Sequence, residues 1–267
     1  MAKIHFTKMH GAGNSYICIN GFTEKVQDWN DLTRRLCSFN YGIGADSLIA
    51  VLPSDKADFQ MRIFNADGSE AEMCGNGIRC LGYYAYTHGL THKKEFTVET
   101  LAGIKSLLLN INDKNQLENI RVDMGSFATG TPVDLHLKTG EVLKGISVSF
   151  GNPHVVVQVD DPDTFDVHGI GQEIEHLPIF PNRTNVEFIH PVDAINIKAR
   201  VWERGCGETQ ACGTGACAIF CATFVQGRCE KNIQYPGGTL KIQMDPTTST
   251  IFMTGPAAII FAGEIDI

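Results

Sequence analysis

Short apolar runs, broken by turn-forming residues, dominate the chain. Residues 4–8, 15–20, 58–65 and 95–100 are rich in β-branched or aromatic side chains and end near Gly, Asn, Asp or Pro, which is a strand pattern. Residues 147–149, 154–159, 185–190 and 195–203 repeat that pattern. Three stretches follow the helical period instead: 29–39, 77–88 and 215–226. In the second, Ile78, Leu81, Ala85 and His88 share a face; in the third, Ala216, Ile219, Phe220 and Thr223 do. Gly89 and Gly227 stand where a left-handed helix stop places glycine. Met124-Gly125-Ser126 reads as a turn, close to where two halves of the chain would meet.

Those halves are related by a constant offset of 138 residues. Asn14 falls on Asn152, Gly13 on Gly151, Arg62 on Arg200 and Glu70 on Glu208. Gly75 falls on Gly213, Gly77 on Gly215 and Gly89 on Gly227. Tyr16-Ile-Cys-Ile19 falls on His154-Val-Val-Val157. Solenoid repeats are far shorter, so this period signals a duplicated domain. The expected architecture is α+β, two pseudo-symmetric α/β domains. The first spans 1–121, completed by 256–267, and the second spans 122–255.

Composition narrows the function classes. The chain has 267 residues and a net charge of −8, which argues against nucleic acid, a ligand bound through cationic contacts to phosphate. No apolar run is long enough for a membrane-spanning helix, and the start carries no hydrophobic signal region. Nine dispersed cysteines are an odd count and read as free thiols of a reducing cytoplasm. Cys206, Cys212, Cys217 and Cys221 are separated by five, four and three residues, not grouped as two short zinc-binding pairs, so no metal is expected. Gly11-Ala-Gly13, Gly42-Ile-Gly44 and Gly213-Thr-Gly215 lack the strict βαβ setting of a dinucleotide site, so no cofactor is expected either.

The chemistry concentrates at two cysteines that the offset superposes. Cys74 opens Cys74-Gly75-Asn76-Gly77 and Cys212 opens Cys212-Gly213-Thr214-Gly215, each just ahead of a predicted helix. Helix starts present unpaired N–H groups and partial positive charge. Such a position eases ionisation of a thiol and binds a carboxylate with no Lys or Arg. Two thiols on opposite faces of an α-amino acid would act as base and acid in either direction. N–H donors on the carboxylate would stabilise the charge that builds there. The other seven cysteines read as small apolar core residues.

These motifs resemble those of the diaminopimelate epimerases, pyridoxal-independent epimerases of lysine and cell-wall biosynthesis. The similarity includes Lys8-Met-His-Gly-Ala-Gly-Asn14, Gly42-Ile-Gly-Ala-Asp46 and Phe64-Asn-Ala-Asp-Gly-Ser-Glu70 leading into Cys74-Gly-Asn-Gly-Ile-Arg79. It continues through Gly151-Asn-Pro-His154, Asn185, Glu203-Arg-Gly205 and Cys212-Gly-Thr-Gly-Ala-Cys217, and closes with Pro236-Gly-Gly238 and Met253-Thr-Gly255. The resemblance implies two similar domains with the active site in the cleft between them, and Cys74 and Cys212 as the acid/base pair. It implies Gly75, Asn76, Gly213 and Thr214 as the carboxylate cradle, and Asn14, Asn65, Asn152 and Asn185 as substrate contacts. Arg204 would grip a distal carboxylate, with Glu203 near the distal ammonium and influencing the thiol chemistry. His154 would support thiol ionisation. The implied reaction interconverts LL- and meso-diaminopimelate in a cytoplasmic homodimer, without cofactor.

Four positions in three segments depart from the common pattern. Ser15-Tyr16 stands where many relatives have Asp-Phe, Ser47 follows Asp46 where some carry Gln, and Phe261 replaces a dimer-forming tyrosine. Two competing readings follow: a racemase of another amino acid, such as histidine, and a non-enzymatic thiol or metal-binding protein.

Overall fold

The structure is a computed structural model and describes residues 3–266. The chain divides into two units. One runs up to Asp123 and takes in the segment from Gly255 onward; the other is Met124–Thr254.

The first unit contains β1 (Lys3–Gly11), β2 (Asn14–Asn20), α1 (Trp29–Cys37), β3 (Ser47–Leu52), β4 (Phe59–Asn65) and β5 (Glu70–Ala71). It continues with α2 (Gly75–Thr87), β6 (Glu95–Thr100), β7 (Gly103–Ile111) and β8 (Leu117–Ser126). Strands β1 and β2 form a hairpin whose central residues, Ala12 and Gly13, both have positive φ (51° and 87°), as the tight turns that match strand twist require. β2 pairs in parallel with β3, and β4 with β6. Parallel neighbours need a crossover, supplied here by α1 and α2 respectively.

The second unit contains β9 (Thr131–His136), β10 (Val142–Ser149), β11 (Pro153–Gln158), α3 (Val167–Glu175), β12 (Asn185–Pro191) and β13 (Asn196–Glu203). It continues with β14 (Gly207–Thr209), α4 (Gly213–Ala222), β15 (Glu230–Tyr235), β16 (Gly238–Met244) and β17 (Thr250–Gly255). Its parallel pairs are β11 with β12 and β13 with β15, crossed by α3 and α4. The last strand, β18 (Ala258–Asp266), belongs to the first unit and lies antiparallel to β1, in the place that β9 takes beside β10.

The helices state the duplication most plainly. Asp28 caps α1 by accepting from the N–H of Asp31, and Asp166 caps α3 by accepting from Gly169. Both caps obey the offset of 138. Helix α3 is absent from the strand-and-helix pattern read above, although its range is that of α1 moved by the same offset. The offset then fails. Helix α2 has 13 residues and α4 has 10, so β15 begins 135 positions after β6.

That shortening corrects one expectation. Gly89 ends α2 as foreseen, with its N–H on the Tyr86 carbonyl and the Leu90 N–H on Ala85, the paired bonds of a Schellman stop. Helix α4 closes at Ala222 instead, and Gly227 serves a separate turn in which Arg228 N–H reaches the Val225 carbonyl. Residues 124–126 are the end of β8 rather than a turn, with Gly125 at φ 103°.

Each unit has its own core. In the first, Trp29, Leu32 and Leu36 of α1 pack with Ile17, Ile19, Leu48 and Phe64 from the strands. In the second, Val167 and Ile174 of α3 pack with Val155, Val157, Val186, Phe188 and Trp202. The helices that follow the two key cysteines lie deeper. α4 is buried from Gly215 through Cys221, with no polar face, as an interior helix should be. This burial fixes the helix starts, and with them the cysteines. Of the seven cysteines read as core, Cys18, Cys37, Cys80, Cys217 and Cys221 are buried; Cys206 is exposed and Cys229 half-buried. Cys206 stands in the turn between β13 and β14, whose pairing begins only at Glu203 with Gly207.

Candidate active site: two cysteine-capped helix starts

Cys74 and Cys212 occupy the N-cap positions where Ser, Thr, Asp or Asn is usual. Each has an extended backbone, at φ −136° and −121°, which turns its side chain back over the first helical turn. Gly77 N–H points to Cys74 Sγ at 3.4 Å, and Gly215 N–H to Cys212 Sγ at 3.3 Å. Close packing requires glycine at both positions. A Cβ on Gly77 would lie 3.0 Å from Ile63 and 3.2 Å from Ile49; one on Gly215 would lie 2.6 Å from Glu187 Oε1.

The hairpin leading into each cysteine turn is clamped alike. Arg62 makes a two-pronged ion pair with Glu70, at 2.7 and 2.8 Å, and Arg200 does so with Glu208, at 2.6 and 2.9 Å. The planar guanidinium matches the carboxylate edge, so each clamp fixes direction as well as distance. In the first unit, a Cβ on Gly11 would lie 2.7 Å from the Asn76 carbonyl, so the β1–β2 hairpin presses directly on the Cys74 turn. Asn14 follows that hairpin turn, and Asn65 ends β4 with its Nδ2 donating to Ser69 Oγ.

The chemical surroundings of the two thiols differ. Half-buried Cys74 meets the phenol of Tyr16, with Oη 3.2 Å from Sγ. Tyr16 takes the place that His154 has in the second unit, and neither it nor Glu187 stands out from the sequence motifs. The signal for both is the repeat: position 16 maps to 154, and Ile49 maps to Glu187. A carboxylate where the duplicate has isoleucine is a departure with a cause to be found.

Cys212 is buried and touches Thr214 Oγ1 at 3.5 Å. Asn152 donates from Nδ2 to that hydroxyl at 3.4 Å and accepts through Oδ1 from His154 Nε2 at 2.9 Å. The other ring nitrogen of His154 meets Glu187 Oε1 at 2.7 Å, and both of these side chains are buried. Asn185 donates to the Pro153 carbonyl and accepts from the Arg204 N–H at 3.0 Å. The Arg204 guanidinium is exposed and donates to the Asn182 carbonyl. The Glu203-Arg204-Gly205 turn is held from beneath by buried Glu175, which accepts from Gly205 N–H at 3.0 Å and from Trp202 Nε1 at 2.7 Å. Thr209 donates to Glu203. The second unit thus brings Asn152, His154, Glu203, Gly213 and Thr214 around Cys212 and ties Asn185 to the Arg204 backbone, while the Arg204 side chain turns to Asn182. The first brings Asn14, Asn65, Gly75 and Asn76 to the elements around Cys74.

Electrostatics separates the two helix starts further. Burial pushes the Cys212 thiol well above its ordinary range, and Glu203 and Glu187 push it further. The Thr214 hydroxyl and the Gly215 N–H act the other way and are outweighed. The expectation that a helix start leaves both thiols easier to ionise therefore does not hold for Cys212, because burial, and after it Glu203 and Glu187, outweigh the helix-start N–H. Glu203 is itself held above the usual carboxylate range by burial, against the Thr209 hydrogen bond and His154. Among the described residues, no group of three or more His, Cys, Asp or Glu side chains is placed to hold a metal ion. Among the described residues, no helix is long and apolar enough to cross a membrane.

Comparison with known proteins agrees with this arrangement. The family model described as diaminopimelate epimerase matches residues 6–129 and 146–260. The protein named diaminopimelate epimerase from Moorella thermoacetica is 47% identical, covering 98% of this chain and 99% of its own. The one from Acetivibrio thermocellus is 44% identical, over 99% of both chains. Among solved structures, a probable proline racemase from Agrobacterium radiobacter matches with a TM-score of 0.77 at 15% identity, covering 99% of this chain and 93% of that one. A PhzF-family phenazine biosynthesis protein from Bacillus anthracis matches with a TM-score of 0.75 at 19% identity, covering all of both chains. At such identities the structural matches establish the shared fold alone. The family-model match over most of the chain and the full-length relatives establish more: the chain belongs to the diaminopimelate epimerase family.

Proposed function

We propose that this isomerase interconverts LL- and meso-diaminopimelate by exchanging one hydrogen at the α-carbon, with Cys74 and Cys212 as base and acid and without cofactor. The supporting observation is the matched pair of N-cap thiols, each laid over a glycine-lined helix start. One thiol, as thiolate, removes the α-hydrogen and becomes neutral. The other delivers its hydrogen to the opposite face and becomes thiolate. In the reverse direction the roles exchange. The substrate carboxylate, which gains charge as the α-hydrogen leaves, is proposed to lie on the helix starts at Gly75 and Asn76 and at Gly213 and Thr214, where backbone N–H groups have no intrahelical partner.

The exposed Arg204 fork suits a second, distal carboxylate, and Glu203 beside it suits a distal ammonium. Asn14, Asn65, Asn152 and Asn185 are the proposed polar contacts. His154 is proposed to support thiolate formation. A substrate with two amino-acid ends uses this whole set; a monocarboxylic amino acid such as histidine leaves Arg204 without a role. The proposed setting is the cytoplasm, and the proposed partner is a second copy of the chain, through β18, where Ile259, Ile260 and Phe261 are exposed.

The test is a panel of amino acids in deuterated solvent, read by mass shift at the α-carbon. Diaminopimelate isomers should exchange and invert far faster than any monocarboxylic amino acid. Preferential turnover of histidine or proline would overturn the reading.

A further inference from the structure

Glu187 has no counterpart in the first unit, where Ile49 occupies the matching strand position, and the two-thiol reaction does not require it. It is fully buried on β12, lies against the start of α4 beside Gly215, and touches His154. Its Oε1 meets His154 Nδ1, while Oε2 has no hydrogen-bond partner among the described residues. A contact of 2.7 Å between a carboxyl oxygen and a ring nitrogen needs one hydrogen between them. Whether that hydrogen resides on the carboxyl or on the ring, Nε2 of the same imidazole also carries one, because it faces the accepting Oδ1 of Asn152. Asn152 in turn donates from Nδ2 to Thr214 Oγ1. The Thr214 hydroxyl hydrogen is then left to point at Cys212 Sγ, 3.5 Å away.

We infer that Glu187 is a positioning residue for Cys212. Through His154 it orients a row of hydrogen bonds, His154 to Asn152 to Thr214 to Cys212, in which every donor faces the thiol. A row polarised in one direction strengthens its last member, so the Thr214 hydroxyl donates best when Cys212 becomes a thiolate. This answers an electrostatic difficulty. Cys212 is faced by Glu203 from β13, Glu187 from β12, Tyr235 from β15 and, through Thr214 and Asn152, His154 from β11. Both carboxyls oppose its ionisation. The aligned donors act against that push, though burial and the carboxyls outweigh them. Nothing is consumed: when Cys212 gives its hydrogen to the substrate carbon, the row turns no group over and moves no further proton.

The inference rests on the reading of Cys212 as one of the two acid/base groups, and its test needs no turnover. The rate of Cys212 alkylation against pH, followed by peptide mass mapping, would be compared in the unmodified chain, Glu187→Ile and Glu187→Gln. Glutamine can still donate to Nδ1 and hold the same ring tautomer; isoleucine, the first unit's own residue, cannot. Measured against Glu187→Gln, which removes the same opposing carboxyl, Glu187→Ile should place the midpoint of the Cys212 profile about one pH unit higher and lower kcat by roughly tenfold, the loss of about one hydrogen bond to a charged group. Glu187→Gln should keep kcat within about twofold of the unmodified chain.

A folded Glu187→Ile chain whose profile and kcat coincide with those of Glu187→Gln would overturn the inference. Nitrogen NMR of His154 in the unmodified chain is independent of any variant, and a bare Nε2 there would overturn it too. Failure to turn over diaminopimelate would reject the proposed function while leaving the alkylation profile as a separate readout.

Discussion

The Cys74 turn and the Cys212 turn share a backbone and differ in chemistry. Both place a cysteine at an N-cap, both lay its sulfur over a glycine N–H three residues on, and both are aimed by an arginine–glutamate clamp. Around that common frame, four matched positions have diverged. Tyr16 answers to His154, Ile49 to Glu187, Asn65 to Glu203 and Asn76 to Thr214. One thiol is half-buried beside a phenol over isoleucines. The other is buried among two carboxyls, an imidazole and a hydroxyl. In the proposed reaction, duplication supplies two like thiols for the two faces of a carbon. Divergence gives those thiols unlike surroundings: burial and two carboxyls push Cys212 up, while a phenol meets Cys74.

Removing either sulfur is the harshest way to break the comparison. Cys74→Ala and Cys212→Ala should each lower interconversion by about 10²–10⁴-fold or more, the usual worth of a positioned acid or base, with circular dichroism unchanged. Full activity in either would show that one thiol suffices.

The exposed fork comes next. Arg204→Ala should cut kcat/KM by roughly 10–150-fold through loss of a charge-assisted contact, mostly as raised KM, and should spare the alkylation rates of both thiols. An unchanged KM for diaminopimelate would remove Arg204 from the substrate site.

Tyr16→Phe tests the first unit alone. It deletes one hydrogen bond to sulfur and should slow Cys74 alkylation by about tenfold while leaving Cys212 untouched. Equal effects on both thiols would mean that the phenol acts on the fold rather than on its neighbour.

Glu203 offers a test by pH. Its carboxyl is held above its unfolded value, so its contribution to stability is fully present below the unfolded pKa of about 4.3 and is lost as pH rises through the folded value. Glu203→Gln should therefore raise Tm more at pH 7 than at pH 4, while lowering activity. A larger gain at pH 4 would reverse the sign and refute the burial account.

The clamps should respond alike. Arg62→Ala and Arg200→Ala remove partly exposed ion pairs of the same form and should each cost about 1 kcal/mol in denaturant melts. A gap of several kcal/mol would show that the shared frame is less symmetric than its geometry.

Much of this was legible in the sequence because the duplication is ungapped as far as the cysteine turns. The offset found the paired thiols and glycines, and it superposed Arg62 on Arg200 and Glu70 on Glu208 without showing that they pair. It could also have found α3, whose caps and bounds are those of α1 shifted by 138, but two glycines within nine residues, Gly169 and Gly171, weaken its helical propensity and mask an otherwise amphipathic pattern. The helix stop at Gly227 was misread because α4 is three residues shorter than α2, a change that no local pattern marks. Strands β3, β5, β7–β9 and β14–β18 were missed: most alternate apolar with polar residues, where pairing partners rather than composition decide the structure, and buried β3 is a short apolar run that periodicity alone does not assign. The roles of Tyr16 and Glu187 were hidden for a different reason. Each lies at an apolar strand position, and only the three-dimensional neighbour, a sulfur in one case and an imidazole in the other, shows what its polar atom does.

The central claim is that two unlike thiols perform one inversion between them. Its most direct test is an initial-rate experiment in deuterated water starting from a single isomer, with substrate and product separated and their α-hydrogen analysed. The account predicts product carrying solvent deuterium and unreacted substrate keeping its original hydrogen, because one sulfur removes and the other delivers. Product that retains the original hydrogen, or substrate that exchanges faster than it inverts, would contradict it.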